Sequence, residues 1–209
     1  MSAFLGGSSR QSLQVARGAL DVAVKGATGA AAASLSADLF VVASTLHGSL
    51  SLRRAITDPS RDASAKETLV KDLFKSLSAP AIDLTAKVSS IRWSNSGDLV
   101  QVLEQLAIEA QASAANIDGA LDRVEDELFA AEQAVSGSPE LRKALITVGA
   151  DSAKAGIVKD LFAKNGSPYT VALLSQLVTT LRGRSIEVAF HDYKYALAAR
   201  RNRVIALVR

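Results

Sequence analysis

Residues Ser64–Phe74 read SAKETLVKDLF and residues Ser152–Phe162 read SAKAGIVKDLF, so eight of eleven positions recur at a spacing of 88. A chain that carries the same local instructions twice is expected to fold them twice, so a tandem duplication frames every other reading. The recurrence extends beyond this window. Leu39-Phe40 returns as Leu128-Phe129 and Leu52-Arg53-Arg54-Ala55 as Leu141-Arg142-Lys143-Ala144, both at 89, while Ser89-Ser90-Ile91-Arg92 returns as Thr179-Thr180-Leu181-Arg182 at 90. Pro80 also has a counterpart in Pro168. A unit of this length is a domain, too long for one turn of a solenoid.

With 209 residues and 48% apolar content the chain can bury two ordinary cores. Aromatics are only 5%, Ala and Leu are abundant and β-branched runs are few, which favours helix over sheet. The absence of cysteine excludes disulfides, thiolate metal sites and cysteine nucleophiles. The small-residue run Gly26–Ala37, bounded by Asp21, Lys25 and Asp38, does not read as a spanning helix, and Met1–Arg10 does not read as a signal peptide.

Helix starts are marked by caps. Ser64 with Glu67 fits a capping box, and Ser152 keeps the cap with Ala155 at the reciprocal position. Ser138-Pro139 and Ser167-Pro168 each place a cap before a proline at the first helical position, where a missing amide costs nothing. These marks predict helices near 8–26, 33–48, 50–57, 64–77, 79–93 and 97–115, then 117–136, 139–146, 152–164, 168–182 and 184–202. The second set lacks a first helix unless 97–115 serves both units. The expected architecture is therefore all-α: two tandem six-helix bundles over 1–115 and 99–203 that share the helix near 97–115 as a rigid joint. Leu69, Val70, Leu73, Phe74 and Leu77, like Ile157, Val158, Leu161 and Phe162, recur at three and four and read as core. Leu99, Val102, Leu103, Leu106 and Ile108 form a wider stripe on the shared helix.

No catalytic constellation is visible. His47 and His191 have no further nitrogen or sulfur ligand for a metal, and Gly6-Gly7 and Gly26/Gly29 lack the context of a phosphate loop. There is no nucleophile elbow, and Glu125-Asp126-Glu127 reads as a solvated helix face. No cofactor is implied. The single tryptophan, Trp93, stands at a helix joint where it can be a packing plug or a contact anchor. Charge is uneven: the net +3 divides into +5 on Val178–Arg209 and −2 on the rest. The basic stretch Ala198–Arg203 reads as a helix C-terminus that favours cations, or else as a nucleic-acid patch on an all-helical adaptor.

The order of these signals resembles the family of the delta subunit of bacterial F-type ATP synthase, to which the mitochondrial oligomycin-sensitivity-conferring protein also belongs. The resemblance is carried by Leu13-Gln14-Val15-Ala16-Arg17-Gly18-Ala19-Leu20, by Lys66 with Leu69-Val70-Lys71-Asp72-Leu73-Phe74, by Leu181-Arg182-Gly183-Arg184-Ser185-Ile186, and by Ala198–Val208. The duplication resembles the actinobacterial branch. The resemblance implies a static, non-catalytic connector at the top of the peripheral stalk, peripheral to the cytoplasmic face of the plasma membrane. Its partners would be the N-terminal helices of alpha subunits and the b subunits, with no nucleic acid and no nucleotide. It also implies that 204–209 begins a small C-terminal α/β domain, Val204–Val208 entering a strand. In the family's mode a partner helix docks in a groove between the first and fifth helices, here Leu13, Ala16 and Leu20 with Leu84, Val88 and Ile91. The second copy would offer Leu103, Leu106 and Ala110 with Val171, Leu174 and Val178. The same positions would serve equally as a bundle core.

Overall fold

Helices form all the regular structure among the described residues. The computed structural model describes residues 5–147, 149–162 and 164–208, with side chains through Arg203. In order they are α1 (Gly7–Val24), α2 (Gly29–Gly48), α3 (Leu50–Thr57), α4 (Ala63–Leu73), α5 (Ala79–Ser90), α6 (Ser96–Ile117), α7 (Leu121–Gly137), α8 (Pro139–Ile146), α9 (Asp151–Phe162), α10 (Pro168–Thr179) and α11 (Ile186–Val208). The all-α expectation holds.

Caps account for most boundaries. Ser138 and Ser167 accept the amides of Leu141 and Thr170, each at 3.1 Å, and each stands before its proline as expected. Ser49, unmarked in the sequence reading, caps α3 through the Leu52 amide at 3.3 Å. α2 starts four residues before its predicted position because Thr28 accepts the Ala31 amide and the alanine run propagates from there. The capping box at Ser64 and Glu67 does not form. α4 begins at Ala63 behind Asp62, and Ser64 lies inside the first turn, where its carbonyl accepts the Thr68 hydroxyl. Ser152 is likewise inside α9, which starts at Asp151, with Ala150 O taking the amides of Ala153 and Lys154. In both cases an acidic residue favours the positive end of the helix dipole one position earlier. Val204–Val208 is the end of α11 and not a strand: nothing between Tyr193 and Val208 breaks the hydrogen-bond ladder, so the helix runs on. Arg209 lies outside the described residues, as do Met1–Phe4.

The chain divides into two compact units, at Ala110/Gln111 within α6. In the first, α2 packs on α3 and α5, α3 on α4 and α5, α4 on α5, and α1 on α5. Its core includes Leu13, Leu20, Leu39, Phe40, Leu46, Ile56, Val70, Phe74, Leu84, Trp93, Leu99 and Leu106. In the second, α7 packs on α8 and α10, α8 on α9, α9 on α10, and α11 on α7 and α10. Leu121, Val124, Leu128, Leu145, Val158, Leu173, Leu177, Phe190, Tyr193 and Leu197 fill that core. A helix-to-helix tie recurs at a spacing of 89. Asp38 of α2 accepts the Ser78 amide (3.0 Å) and hydroxyl (2.5 Å) at the start of α5, and Glu127 of α7 accepts the Ser167 amide (2.8 Å) and the Thr170 hydroxyl (2.5 Å) at the start of α10.

α2 is long and apolar enough to cross a membrane by length and composition alone. Its Leu35, Leu39, Val42 and Leu46 are buried and Asp38 holds Ser78, so it serves as a core helix of the first unit. The expected core stripe of α4 and α9 is narrower than predicted. Lys66, Val70 and Phe74, four apart, are buried, whereas Leu73 and its counterpart Leu161 are exposed, and Leu69, Leu77, Ile157 and Phe162 are half-buried. Burial follows the i, i+4 line only, since each short helix is covered on one side.

Candidate partner-binding surface

α1 is amphipathic in a way that fixes two of its faces. Leu13, Ala16, Ala19 and Leu20 are buried against the first unit's core. On one flank Ser8 shares a hydrogen bond with Ser94 (2.7 Å) and Ser12 donates to Arg92 O (2.5 Å), tying α1 to the segment between α5 and α6. On the other flank Arg17 reaches α6: its Nε and Nη2 donate to Glu109 Oε1 at 2.9 and 2.7 Å, and Gln105 donates to the same oxygen. The face left to solvent carries Val15 and Val22, 47% and 72% exposed and seven residues apart, with Gly18 between them and open space around its Cα. Two valines two turns apart on one exposed face form a short apolar stripe, bounded by the serines that tie α1 to the segment between α5 and α6.

Ten of the twelve residues expected to line docking grooves are buried in this structure: Leu13, Ala16, Leu20, Leu84, Val88, Leu103, Leu106 and Ala110 in the first unit, and Leu174 and Val178 in the second. Ile91 and Val171 are half-buried. The structure brings Leu13, Ala16 and Leu20 together with Leu84 and Val88 where α1 packs on α5, as helix-packing residues facing inward. α6 is buried on every face from Val102 to Ala115, including Glu104, Gln105, Glu109, Gln111 and Ser113. Val15 and Val22 were absent from the sequence-derived groove; the signal that marks them is a spacing of seven on the side away from Leu13, Ala16 and Leu20.

The other singled-out residues resolve individually. His47 and His191 are both exposed, and no group of three His, Cys, Asp or Glu able to hold a metal occurs among the described residues. Trp93 is a buried plug whose Nε1 donates to Val88 O at 3.0 Å. The acidic run on α7 is not merely solvated: besides Glu127, Glu125 pairs with Arg201, which also pairs with Asp122. Lys194 pairs with Glu132 and Arg184 with Asp192, so three cations of the basic C-terminal segment are already answered within the second unit.

Comparison with known proteins agrees with the resemblance. Residues 108–209 match the family described as ATP synthase delta (OSCP) subunit. The chain is 41% identical to ATP synthase subunit delta of Streptomyces coelicolor over 204 residues, which is 97% of this chain and 74% of that protein. The chain belongs to the ATP synthase delta (OSCP) family. Similarity to the delta subunit of Kineococcus radiotolerans is of the same extent, 37% identical over 97% of this chain and 74% of the relative, so the actinobacterial form of delta is the one this chain shares. Delta is a structural subunit of the peripheral stalk and not an enzyme.

Proposed function

We propose that this delta chain is a stator connector that links alpha subunits of the catalytic head to the b subunits, so that the head does not turn with the rotor. In this reading the two units are tandem copies of one helical bundle with α6 common to both. The recurring Asp38–Ser78 and Glu127–Ser167 ties support that view, as does the equivalent capping by Ser49 and Ser138. The observation that carries the docking proposal is the exposed Val15–Gly18–Val22 face of α1. An amphipathic partner helix laid along it would bury both valines, and Gly18 would let the partner backbone come close. Leu13, Ala16, Leu20, Leu84 and Val88 then hold α1 against α5 beneath the docked helix, while half-buried Ile91 stands at the groove's end.

The test is co-purification with alpha and b subunits from membranes carrying Val15→Glu/Val22→Glu delta. Both side chains are exposed, so helicity and unfolding temperature should hold while recovery of alpha falls at least tenfold and b is retained. Undiminished alpha recovery with a folded double variant would overturn this docking face. The nucleic-acid reading is disfavoured by the ion pairs of Arg184, Lys194 and Arg201; it requires strong and steeply salt-dependent binding to nucleic acid, whereas a connector should show none at physiological salt.

A further inference from the structure

The two motifs that recur most clearly meet in space. Lys66, from the repeated Ser-Ala-Lys, and Arg92, from the repeated hydrophobic-Arg pair after α5, line one cavity of about 550 Å³ in the first unit, together with Arg61, Ile91 and Trp93. Their counterparts Lys154 and Arg182 line a cavity of about 410 Å³ in the second unit, with Arg142 and Arg184. The first cavity has three cations and no carboxylate in its lining. Lys66 is only 5% exposed and lines this cavity. Asp58, which feels the charges of Arg61 and Lys66, is turned onto Ser60, whose amide and hydroxyl it accepts at 2.9 and 2.7 Å. Three cations line this hollow with no carboxylate among them, so an anion entering it gains from all three charges.

The second unit contains such an anion of its own. Glu187, near the start of α11, lines the smaller cavity and forms an ion pair with Arg142. Its own backbone amide, then Ser185 and Arg142, hold its carboxyl below the ordinary glutamate value. At the equivalent place in the first unit, at a spacing of 90, stands Gly97. One copy of the site thus carries a built-in carboxylate and the other has none.

We infer that the first unit's cavity binds a carboxylate-bearing segment of a partner protein, with Lys66 and Arg92 meeting the acidic group, Arg61 at the rim, and Ile91 and Trp93 against its aliphatic stem. Guanidinium and ammonium around a hollow with an apolar wall suit a glutamate or aspartate side chain, and charge-assisted bonds there are strong. This site is separate from the α1 stripe and does not rest on the connector reading.

Trp93 is the only tryptophan in the chain and lines the cavity, so its emission reports occupancy directly. Titrating the whole protein with hexaglutamate should shift Trp93 emission saturably, and inorganic phosphate should displace the peptide only at concentrations far above it. Lys66→Met should weaken the peptide at least tenfold. Arg92→Gln, at an exposed side chain that leaves the core untouched, should also weaken it severalfold. Gly97→Glu, which copies the second unit's carboxylate into the first, should abolish the response while far-UV circular dichroism stays the same. A response absent in the wild type, or unchanged in Arg92→Gln and Lys66→Met, would overturn the site. Displacement by phosphate at concentrations equal to the peptide's would overturn its assignment to a carboxylate segment.

Discussion

Arg17 and Glu109 form a fork in which both guanidinium donors converge on one carboxylate oxygen, at 2.9 and 2.7 Å, with the Glu109 side chain wholly buried and that of Arg17 only 11% exposed. The pair joins α1 to α6 inside the first unit. Removing one member strands a charge in a medium that cannot solvate it, so Arg17→Met should destabilise the first unit by about 3–5 kcal/mol. The double variant Arg17→Met/Glu109→Leu should recover most of that loss, because two apolar side chains need no desolvation. Urea unfolding of the three proteins checks this. A double variant as unstable as the single one would mean that the pair is worth more than the hydrophobic contact replacing it.

Glu127 gives the chain a pH-dependent tie. Burial opposes its ionisation, but the Thr170 hydroxyl, the Ser167 amide and Arg123 outweigh burial and hold its carboxyl below the ordinary value. A carboxylate with a depressed folded value stabilises fully above the unfolded value, about 4.3, and the contribution disappears as pH falls through the folded one. Glu127→Gln keeps an acceptor oxygen but loses the charge. It should cost about 1 kcal/mol at pH 7 and nothing at strongly acid pH, where the wild type has lost the same term. Stability measured from pH 7 downward should show the two curves converging; parallel curves would remove Glu127 from the acid response.

Phe74 and Phe162 are equivalent in sequence but not in burial, Phe74 being 4% exposed and Phe162 half-buried. Phe74→Ala should therefore cost about 3–5 kcal/mol and Phe162→Ala about half as much. They belong to different units, so their effects should add to within about 0.5 kcal/mol. Denaturant melts of the singles and the double measure this directly, and equal single losses would contradict the burial difference.

Helix number, order and type were legible because many boundaries carry local chemistry: Pro139 and Pro168 behind serine caps, and glycine or serine between apolar runs. What stayed hidden depended on neighbours. The apolar spacing of α4 and α9 cannot say that Leu73 and Leu161 face solvent, since that follows from how little of each short helix is covered. The groove between the first and fifth helices is what the family resemblance implies, and the apolar residues assigned to it carry no local mark of surface or interior: Ala16 and Leu20 pack inward, and Val15 and Val22 on the reverse face are exposed. The ties from Asp38 and Glu127 span forty residues each and leave no local trace.

The serine caps supply a last contrast, between identical residue types with opposite roles. Ser138 accepts the Leu141 amide at the start of α8, satisfying one of the donors that a helix N-terminus leaves unpaired. Ser138→Ala should cost about 1 kcal/mol. Ser64, in the most strongly repeated segment of the chain, is exposed and lies inside the first turn of α4. Its hydroxyl caps nothing, so Ser64→Ala should be neutral to within about 0.5 kcal/mol, and alanine's better helix propensity can make it slightly stabilising. Thermal melts of both variants decide the matter: a Ser64→Ala loss as large as that of Ser138→Ala would restore the capping box and move the start of α4 two residues toward the C-terminus, to Ala65.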